Sequence, residues 1–397
     1  MKLPDAPWRR WSGMARLLRA LDAEGGETRY VGGCVRDALL GLEVSDVDLA
    51  TRIAPEEVME RLAAARIKAV PTGLAHGTVT AVIRGRPVEV TTLRRDVATD
   101  GRRATVVYTG DWREDAARRD FTINALSADP AGGGLFDYFG GIADLEARRV
   151  RFIGDPLVRI AEDHLRILRF FRFHARFGAG EPDAAGVEAC AARADDLSAL
   201  SRERIADELL KLLALPDPAA TVALMVERGI FRPVLPEIAD GGRLTALVAA
   251  ERAAGVAPEA VRRLAALLPE DPETAASVAA RLRLSKRRSK RLVSAAEARL
   301  DAPEALAYEI GAEEAVDRFL LQGRTDLELA ALQHWRRPRL PLGGGDLIAM
   351  GLDAGPVVAR TMQALERDWV RAGFPADRGE VRALARRRVD QALRDSP

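Results

Sequence analysis

The pattern of this chain changes character once, near Asp155-Pro156, and that change limits its fold more than any other feature. Before it, short β-rich runs such as Arg29-Tyr30-Val31, Thr78-Val79-Thr80-Ala81-Val82-Ile83 and Val88-Glu89-Val90-Thr91-Thr92 alternate with Gly and Asp turns and helix-like stretches. After it the strand signals vanish. The remainder is rich in Ala, Leu, Arg and Glu, with apolar residues three and four apart and breaks at Gly178, Pro216, Pro233, Pro269 and Pro272. The expected fold is α+β up to about residue 150, a mixed sheet with helices, and all-helical beyond. A single core stops growing at about 250 to 300 residues, so 397 residues predict several domains. A second set of breakers, Arg336-Arg337-Pro338 through Pro341-Leu342-Gly343-Gly344-Gly345, predicts a joint before a small C-terminal helical unit.

Lys and Arg (60) nearly cancel Asp and Glu (59), so any nucleic-acid surface has to be a local patch. The strongest candidate is the stretch from Arg281 to Arg291, with seven cations in eleven residues, which suits phosphate contacts or equally a solvated helix face. Cys34 and Cys190 are too few for a disulfide framework, and none of the four histidines has metal-ligand spacing. The N-terminus lacks the apolar segment of a signal peptide, and no run of about 18 apolar residues exists to span a bilayer. These features lead to the expectation of a soluble, cytoplasmic protein.

The richest chemistry lies in Tyr30-Val31-Gly32-Gly33-Cys34-Val35-Arg36-Asp37, followed by Ser45-Asp46-Val47-Asp48-Leu49. A strand ending in two glycines, a helix opening and a cation three residues on can grip a triphosphate through bare N–H groups and Arg36. Asp46 and Asp48, two apart on an expected strand, project to one face where they can share hard cations. Glu89, between Val88 and Val90, is either a third carboxylate for those cations or a solvent-facing strand residue. Taken singly, a Gly-Gly turn is usually only a turn and an Asp-x-Asp pair a solvated loop; their order and spacing make them specific together. Further on, Arg118 and Arg119 precede Asp120 and Asn124, a set able to bind phosphate and sugar hydroxyls, although a cap or structural hydrogen bond suits Asn124 equally. Asp163, Arg166, Arg169 and Arg172 recur every three residues, predicting a ridge on one helix that offers one acceptor and three cations, or else an ion-pair ladder.

With these motifs in this order the sequence resembles the class II CCA-adding tRNA nucleotidyltransferases and poly(A) polymerases, in the polymerase β-like superfamily. The resemblance runs on through Arg118-Arg119-Asp120-Phe121-Thr122-Ile123-Asn124-Ala125-Leu126, Asp137-Tyr138-Phe139-Gly140-Gly141, the helix from Glu162 to Phe173, and Ser201-Arg202-Glu203-Arg204 to Lys211. It implies a nucleotidyltransferase head (1–150), a helical neck bearing a nucleotide-recognition helix (151–215), a helical body (216–335) and a helical, tRNA-binding tail (336–397). It implies Asp46 and Asp48 as Mg²⁺ ligands, and Gly32, Gly33, Arg36, Arg119, Asp163, Arg166, Arg169 and Arg172 around an incoming ATP or CTP. The implied activity is addition of C, C and A to the 3′ end of tRNA. Cytosine and adenine each show an amino donor beside an unprotonated ring nitrogen, so a carboxylate with a guanidinium, Asp163 with Arg166, can serve as an amino-acid template for both.

The resemblance also implies that the polar segment Arg95–Arg103, expected to be mobile, helps switch from C to A addition, and that the tail near Gly355-Pro356 docks the tRNA elbow. The sequence has no His-Asp pair of the phosphohydrolase kind, and Thr72-Gly73-Leu74-Ala75-His76-Gly77-Thr78-Val79 stands where a bacterial poly(A) polymerase would carry a Gly-Arg-Arg-Phe type of sequence. The missing His-Asp pair predicts no second hydrolytic activity in the helical half, while the 72–79 stretch, with nothing that looks like a long basic C-terminal tail, favours CCA addition. His76 is read as stabilising a turn rather than as a general base. A specialist adding only A or only the two Cs, a poly(A) polymerase, and an inactive RNA-binding protein are the alternative readings, and the oligomeric state is open.

Overall fold

The computed structural model describes residues 2–100, 103–324 and 327–395. The chain forms two compact units, Met1–Pro236 and Glu237–Pro397.

In the first unit α1 (Met14–Ala20) precedes β1 (Thr28–Val31), α2 (Gly33–Leu39), β2 (Asp48–Thr51), α3 (Pro55–Ala64), β3 (Lys68–Gly73), β4 (Thr78–Ile83) and β5 (Arg86–Thr92). Then come β6 (Arg94–Asp100), β7 (Arg103–Tyr108), α4 (Trp112–Ala117), β8 (Ser127–Ala128), β9 (Leu135–Phe136) and α5 (Gly141–Glu146). Seven strands make one mixed sheet in the order β3-β4-β5-β2-β1-β8-β9, with β2 and β5 the parallel pair. Alternation decides which face is covered: in β5 Val88, Val90 and Thr92 are buried while Glu89 is exposed. Helices α1 and α3 pack against β4 and contribute Met14, Leu17, Val58 and Leu62 to the core. Parallel pairing of β2 with β5 sets Asp48 directly opposite Glu89.

The segment expected to be a mobile loop is instead a hairpin. Strands β6 and β7 pair antiparallel as a separate two-stranded sheet, with Arg94 opposite Tyr108 and Asp100 opposite Arg103. Val97, Thr99, Thr105, Val106 and Val107 favour extended backbone, and Asp100-Gly101 is a strong hairpin signal that the polar composition obscured. Gly101 and Arg102 themselves lie outside the described residues.

Beyond β9 the described residues form helices and no further named strand. The Asp155-Pro156 boundary is a helix start: the Asp155 carboxylate accepts from Leu157 N–H at 2.8 Å and Pro156 occupies the first turn of α6 (Pro156–Glu162). It is followed by α7 (Arg166–Phe177), α8 (Ala184–Ala192), α9 (Arg202–Leu213) and α10 (Ala219–Glu227). Helix α7 buries Ile167, Leu168, Phe170, Phe171, Phe173 and Phe177. Phe170 stacks on Phe152 at 5.4 Å, and Phe152 meets Phe121 at 5.0 Å, so an aromatic cluster fixes α7 against the segment that carries Arg119 and Asp120. Each such ring pair contributes about 0.5–1.5 kcal/mol beyond its buried area.

The second unit comprises α11 (Gly242–Ala253), α12 (Ala260–Ala266), α13 (Pro272–Arg281), α14 (Lys286–Ala295), α15 (Pro303–Ile310) and α16 (Ala312–Leu321). It continues with α17 (Leu327–Gln333), α18 (Gly344–Ala349), α19 (Pro356–Arg371) and α20 (Arg378–Arg394). Leu342, Leu347, Leu365, Trp369, Val381 and Val389 form one of its cores. In the basic stretch, Arg281 is bound to Glu237 and Arg291 to Asp317, whereas Arg287 and Lys290 are exposed on α14. Helix α19 starts at Gly355-Pro356, as the Gly-Pro pair predicts. No helix among the described residues is long and apolar enough to cross a membrane.

Candidate active site

Asp48 opens β2, with Glu89 of β5 at its side. Asp46, expected on the same strand, lies in the irregular segment before it, exposed, and accepts from Ser45 Oγ at 2.9 Å. The spacing of two therefore brings both carboxylates to one cavity without a shared strand. Burial, then repulsion from Glu89 and Asp46, push the Asp48 carboxyl up to about 6, while Arg119 acts in the opposite direction. Such a crowded set of hard oxygen donors is relieved by a divalent cation. Among the described residues no three His, Cys, Asp or Glu side chains close a metal cage. The donor set nevertheless fits Mg²⁺, which is ordinarily held by one or two carboxylates together with substrate phosphates. Beneath the pair, the buried Cys34 thiol donates to Val31 O at 3.3 Å and approaches Asp48 O at 3.7 Å, and burial pushes it up to about 12, which suits packing rather than nucleophilic chemistry.

The glycine turn follows β1. Gly32 has φ +70° and ψ −126°, a conformation essentially closed to other residues, and an added Cβ would stand 2.6 Å from Arg119 Nη1. Gly32→Ala is therefore expected to displace Arg119. Steady-state kinetics on the variant should show kcat/KM lower by up to about 10²-fold, with the backbone strain costing about 1–3 kcal/mol in a thermal melt. A variant with wild-type kinetics would remove Gly32 from the site. Arg36, read as gripping phosphate, lines the cavity but is only 8% exposed. Its guanidinium donates to Asp37 at 2.7 Å and to Asn124 Oδ1, and sits 4.1 Å from the Phe177 ring.

Asp120 and Asn124 are also committed to internal bonds. Asn124 donates to Asp120 Oδ1 at 2.9 Å, and Arg169 Nε donates to Asp120 Oδ2 at 2.8 Å. Burial alone would raise the Asp120 carboxyl, but Arg169 and the bonds from Asn124 and Phe121 N–H hold it below the usual carboxylate range. Asn124 therefore makes a structural hydrogen bond, and both it and Asp120 also line the cavity.

The expected ridge of four residues on one helix is corrected in two places. Asp163 is not on α7: it has extended backbone in the joint between α6 and α7, where its carboxylate accepts from Leu165 N–H at 3.1 Å and from Arg204 Nη2 at 2.7 Å. Arg172 does not line the cavity; it pairs with the buried Glu208 at 2.5 Å. A step of three residues drifts by about 60° on a helix of 3.6 residues per turn, whereas a step of seven returns to within about 20°. The face toward the cavity thus carries Arg166, Arg169 and Phe173. Arg166 donates to Arg159 O at 2.7 Å, to Arg118 O at 3.1 Å and to Glu162.

The result is one cavity of about 610 Å³ that gathers Gly32, Gly33, Asp46, Asp48, Arg118 and Arg119 with Asp163, Arg166 and Arg169. That volume is within the range of small-ligand pockets. Glu89 flanks Asp48 without appearing in the wall, and His76, exposed at the end of a short 3₁₀ turn, is likewise not part of it. Sequence reasoning missed Phe173, for which the seven-residue return from Arg166 was the available signal, the buried Asp115, signalled by its spacing of three and four from Arg118 and Arg119, and the buried Glu208, which no spacing rule indicates.

Comparison with known proteins agrees with this architecture. Residues 28–151 match the family model "Poly A polymerase head domain", and residues 182–241 match "Probable RNA and SrmB- binding site of polymerase A". The mitochondrial CCA tRNA nucleotidyltransferase 1 of Mus musculus is 34% identical over 390 residues, spanning 93% of this chain and 88% of the relative. The chain belongs to the CCA tRNA nucleotidyltransferase and poly(A) polymerase family, a family of enzymes. A CCA-adding enzyme of Geobacillus thermodenitrificans is 38% identical over 238 residues, 59% of this chain and 57% of its own. The Bacillus stearothermophilus CCA-adding enzyme, solved in complex with CTP, superposes with a TM-score of 0.76 at 27% identity over 96% of this chain and 98% of its own. Within the family's plan the head-domain match runs from β1 to just beyond α5, so it contains both metal-candidate aspartates and the glycine turn.

Proposed function

We propose that this chain adds C, C and then A to the 3′ end of tRNA, using CTP and ATP. The observation that carries the reading is the single cavity in which Asp46 and Asp48 face Asp163 and Arg166, so that a site for phosphates and a site for a base are joined at the scale of one nucleotide. Relatives named as CCA-adding enzymes, one of them bound to CTP, support it.

In this reading Asp46 and Asp48, with Glu89 beside them, hold Mg²⁺, which when bound lowers the pKa of the attacking 3′ hydroxyl and neutralises the leaving pyrophosphate. The N–H groups of the Gly32-Gly33 turn and the cation Arg119 orient the triphosphate. Asp163 offers a carboxylate oxygen to the exocyclic amino group of cytosine or adenine, and Arg166 donates to the neighbouring ring nitrogen. Arg204 fixes the first and Glu162 the second, so the acceptor–donor order is preset before a nucleotide arrives. Uracil and guanine present the reverse order and leave both protein groups without partners, the condition for strong discrimination. Exchanging the two residues, Asp163→Arg with Arg166→Asp, is expected to shift incorporation toward UTP and GTP; unchanged nucleotide choice would remove them as template.

The test of the activity is to supply Mg²⁺ and CTP, ATP or both to tRNAs lacking three, two or one terminal nucleotides. Completion of all three followed by arrest is expected. Incorporation of one nucleotide type alone would mark an A-adding or CC-adding specialist or a poly(A) polymerase, and no incorporation an RNA-binding protein. A cytoplasmic location is kept as an expectation from the sequence, beside a relative whose name places it in mitochondria.

A further inference from the structure

Asp115 is a carboxylate of α4 whose side chain is only 4% exposed, and it has no place in the chemistry described above. Its Oδ1 accepts from Arg118 Nε at 2.9 Å and from the backbone N–H of Arg94 at 3.2 Å, at the root of the β6–β7 hairpin. Its Oδ2 stands 3.6 Å from Arg119 Nη2. Arg118 and Arg119 are consecutive, both line the nucleotide cavity, and like charges so placed would otherwise repel and point apart. The other end of the Arg119 guanidinium, Nη1, approaches Asn124 O at 3.4 Å. Arg119 is therefore held from two sides, by a buried anion and by a carbonyl.

We propose that Asp115 is a positioning residue for nucleotide binding, aiming Arg119 into the cavity while the hairpin root, through Arg94 N–H, fixes the orientation of the carboxylate. The proposal rests on the reading of the cavity as the nucleotide site. Two effects compete when the charge is removed. Arg119 becomes more strongly positive toward phosphate, and it loses the fixed geometry that makes it useful. Geometry prevails, because ordering a freed long side chain on binding has an entropic cost.

The test is equilibrium binding of CTP to the full-length chain with Asp115→Asn, an isosteric neutral change that still accepts from Arg94 N–H, measured in the wild-type and the Arg119→Gln backgrounds. The dissociation constant is expected to rise about tenfold in the wild-type background and to stay within about twofold in the Arg119→Gln background, the non-additivity of residues acting as a unit. Unchanged or tighter binding overturns the proposal, as does an equal loss in both backgrounds, which a general loosening of the fold would give. If Asp115→Asn does not fold, Asp115→Glu, which keeps the charge and moves it by one methylene, replaces it with the same expectation. Failure of the unmodified chain to bind CTP at all overturns the nucleotide reading of the cavity, and the inference with it; binding by the unmodified chain with an indifferent variant overturns the inference alone.

Discussion

Asp48→Asn is expected to abolish nucleotide addition, by at least about 10³-fold in the single-turnover rate, while leaving the melting temperature in metal-free buffer equal to or above that of the unmodified protein. The two halves of this result have one origin. Asp48 is held between Glu89 and Asp46 in a partly buried site, and burial and like charge together raise its carboxyl to about 6. Its charge opposes folding in the absence of a cation, so an uncharged isostere relieves the strand junction. The same charge is what makes the site attractive to Mg²⁺. Rapid-quench assays with tRNA lacking its last adenosine, beside calorimetric melts in chelator, measure both. A loss below tenfold would remove Asp48 from the catalytic centre, and a clear drop in melting temperature would show that its charge is stabilising, contrary to its surroundings. Glu89→Gln extends the comparison: a large rate loss would make it a third ligand, and a small one the solvent-facing residue its exposed position also allows.

The largest expected effect on stability lies in the second unit. Glu251 is 2% exposed and accepts from Arg262 Nε at 2.7 Å and from Arg263 Nε at 2.8 Å; Arg262 also donates to Asp317 at 3.0 Å, and Arg291 to Asp317 at 2.6 Å. Two carboxylates and three guanidiniums thus form one network, four of whose side chains are at most 3% exposed. Glu251→Ala removes the anion shared by two buried cations, and breaking such a set costs about 3–5 kcal/mol. At about 2–4 °C per kcal/mol for a unit of this size, calorimetry should show a transition lower by roughly 10 °C. Glu251→Gln, which keeps an acceptor, should fall between the two. A loss below about 1 kcal/mol for the alanine variant would mean that solvent reaches the network and screens it.

The order of the chemical motifs, the change from strand to helix at Asp155-Pro156 and the helix start at Gly355-Pro356 were legible in the sequence, because each rests on local rules: strand alternation, N-capping by Asp155, and the fixed φ of proline at a first turn. The period of two along β5 is likewise enough to put Glu89 on the face opposite Val88 and Val90. The hairpin of β6 and β7 was legible as well, in Asp100-Gly101 and its β-branched flanks, but its polar composition read as a loop.

Other features were not local. A period of three placed Asp163 and Arg172 on a common ridge, yet the chain is extended at Asp163, and 3.6 residues per turn rotate Arg172 toward Glu208, 36 residues away. Likewise nothing local showed that Arg36, which lines the cavity, would also donate to Asn124, 88 residues later. The sequence by itself determined which residue types would be present and the backbone of most stretches, Asp46, Asp163 and the β6–β7 hairpin excepted, since these depend on neighbours within a turn or two. Only the tertiary structure decided which charges are neutralised internally and which line the cavity, because a guanidinium is committed by whatever carboxylate or carbonyl folding brings within about 3 Å, and that partner has no fixed distance along the chain.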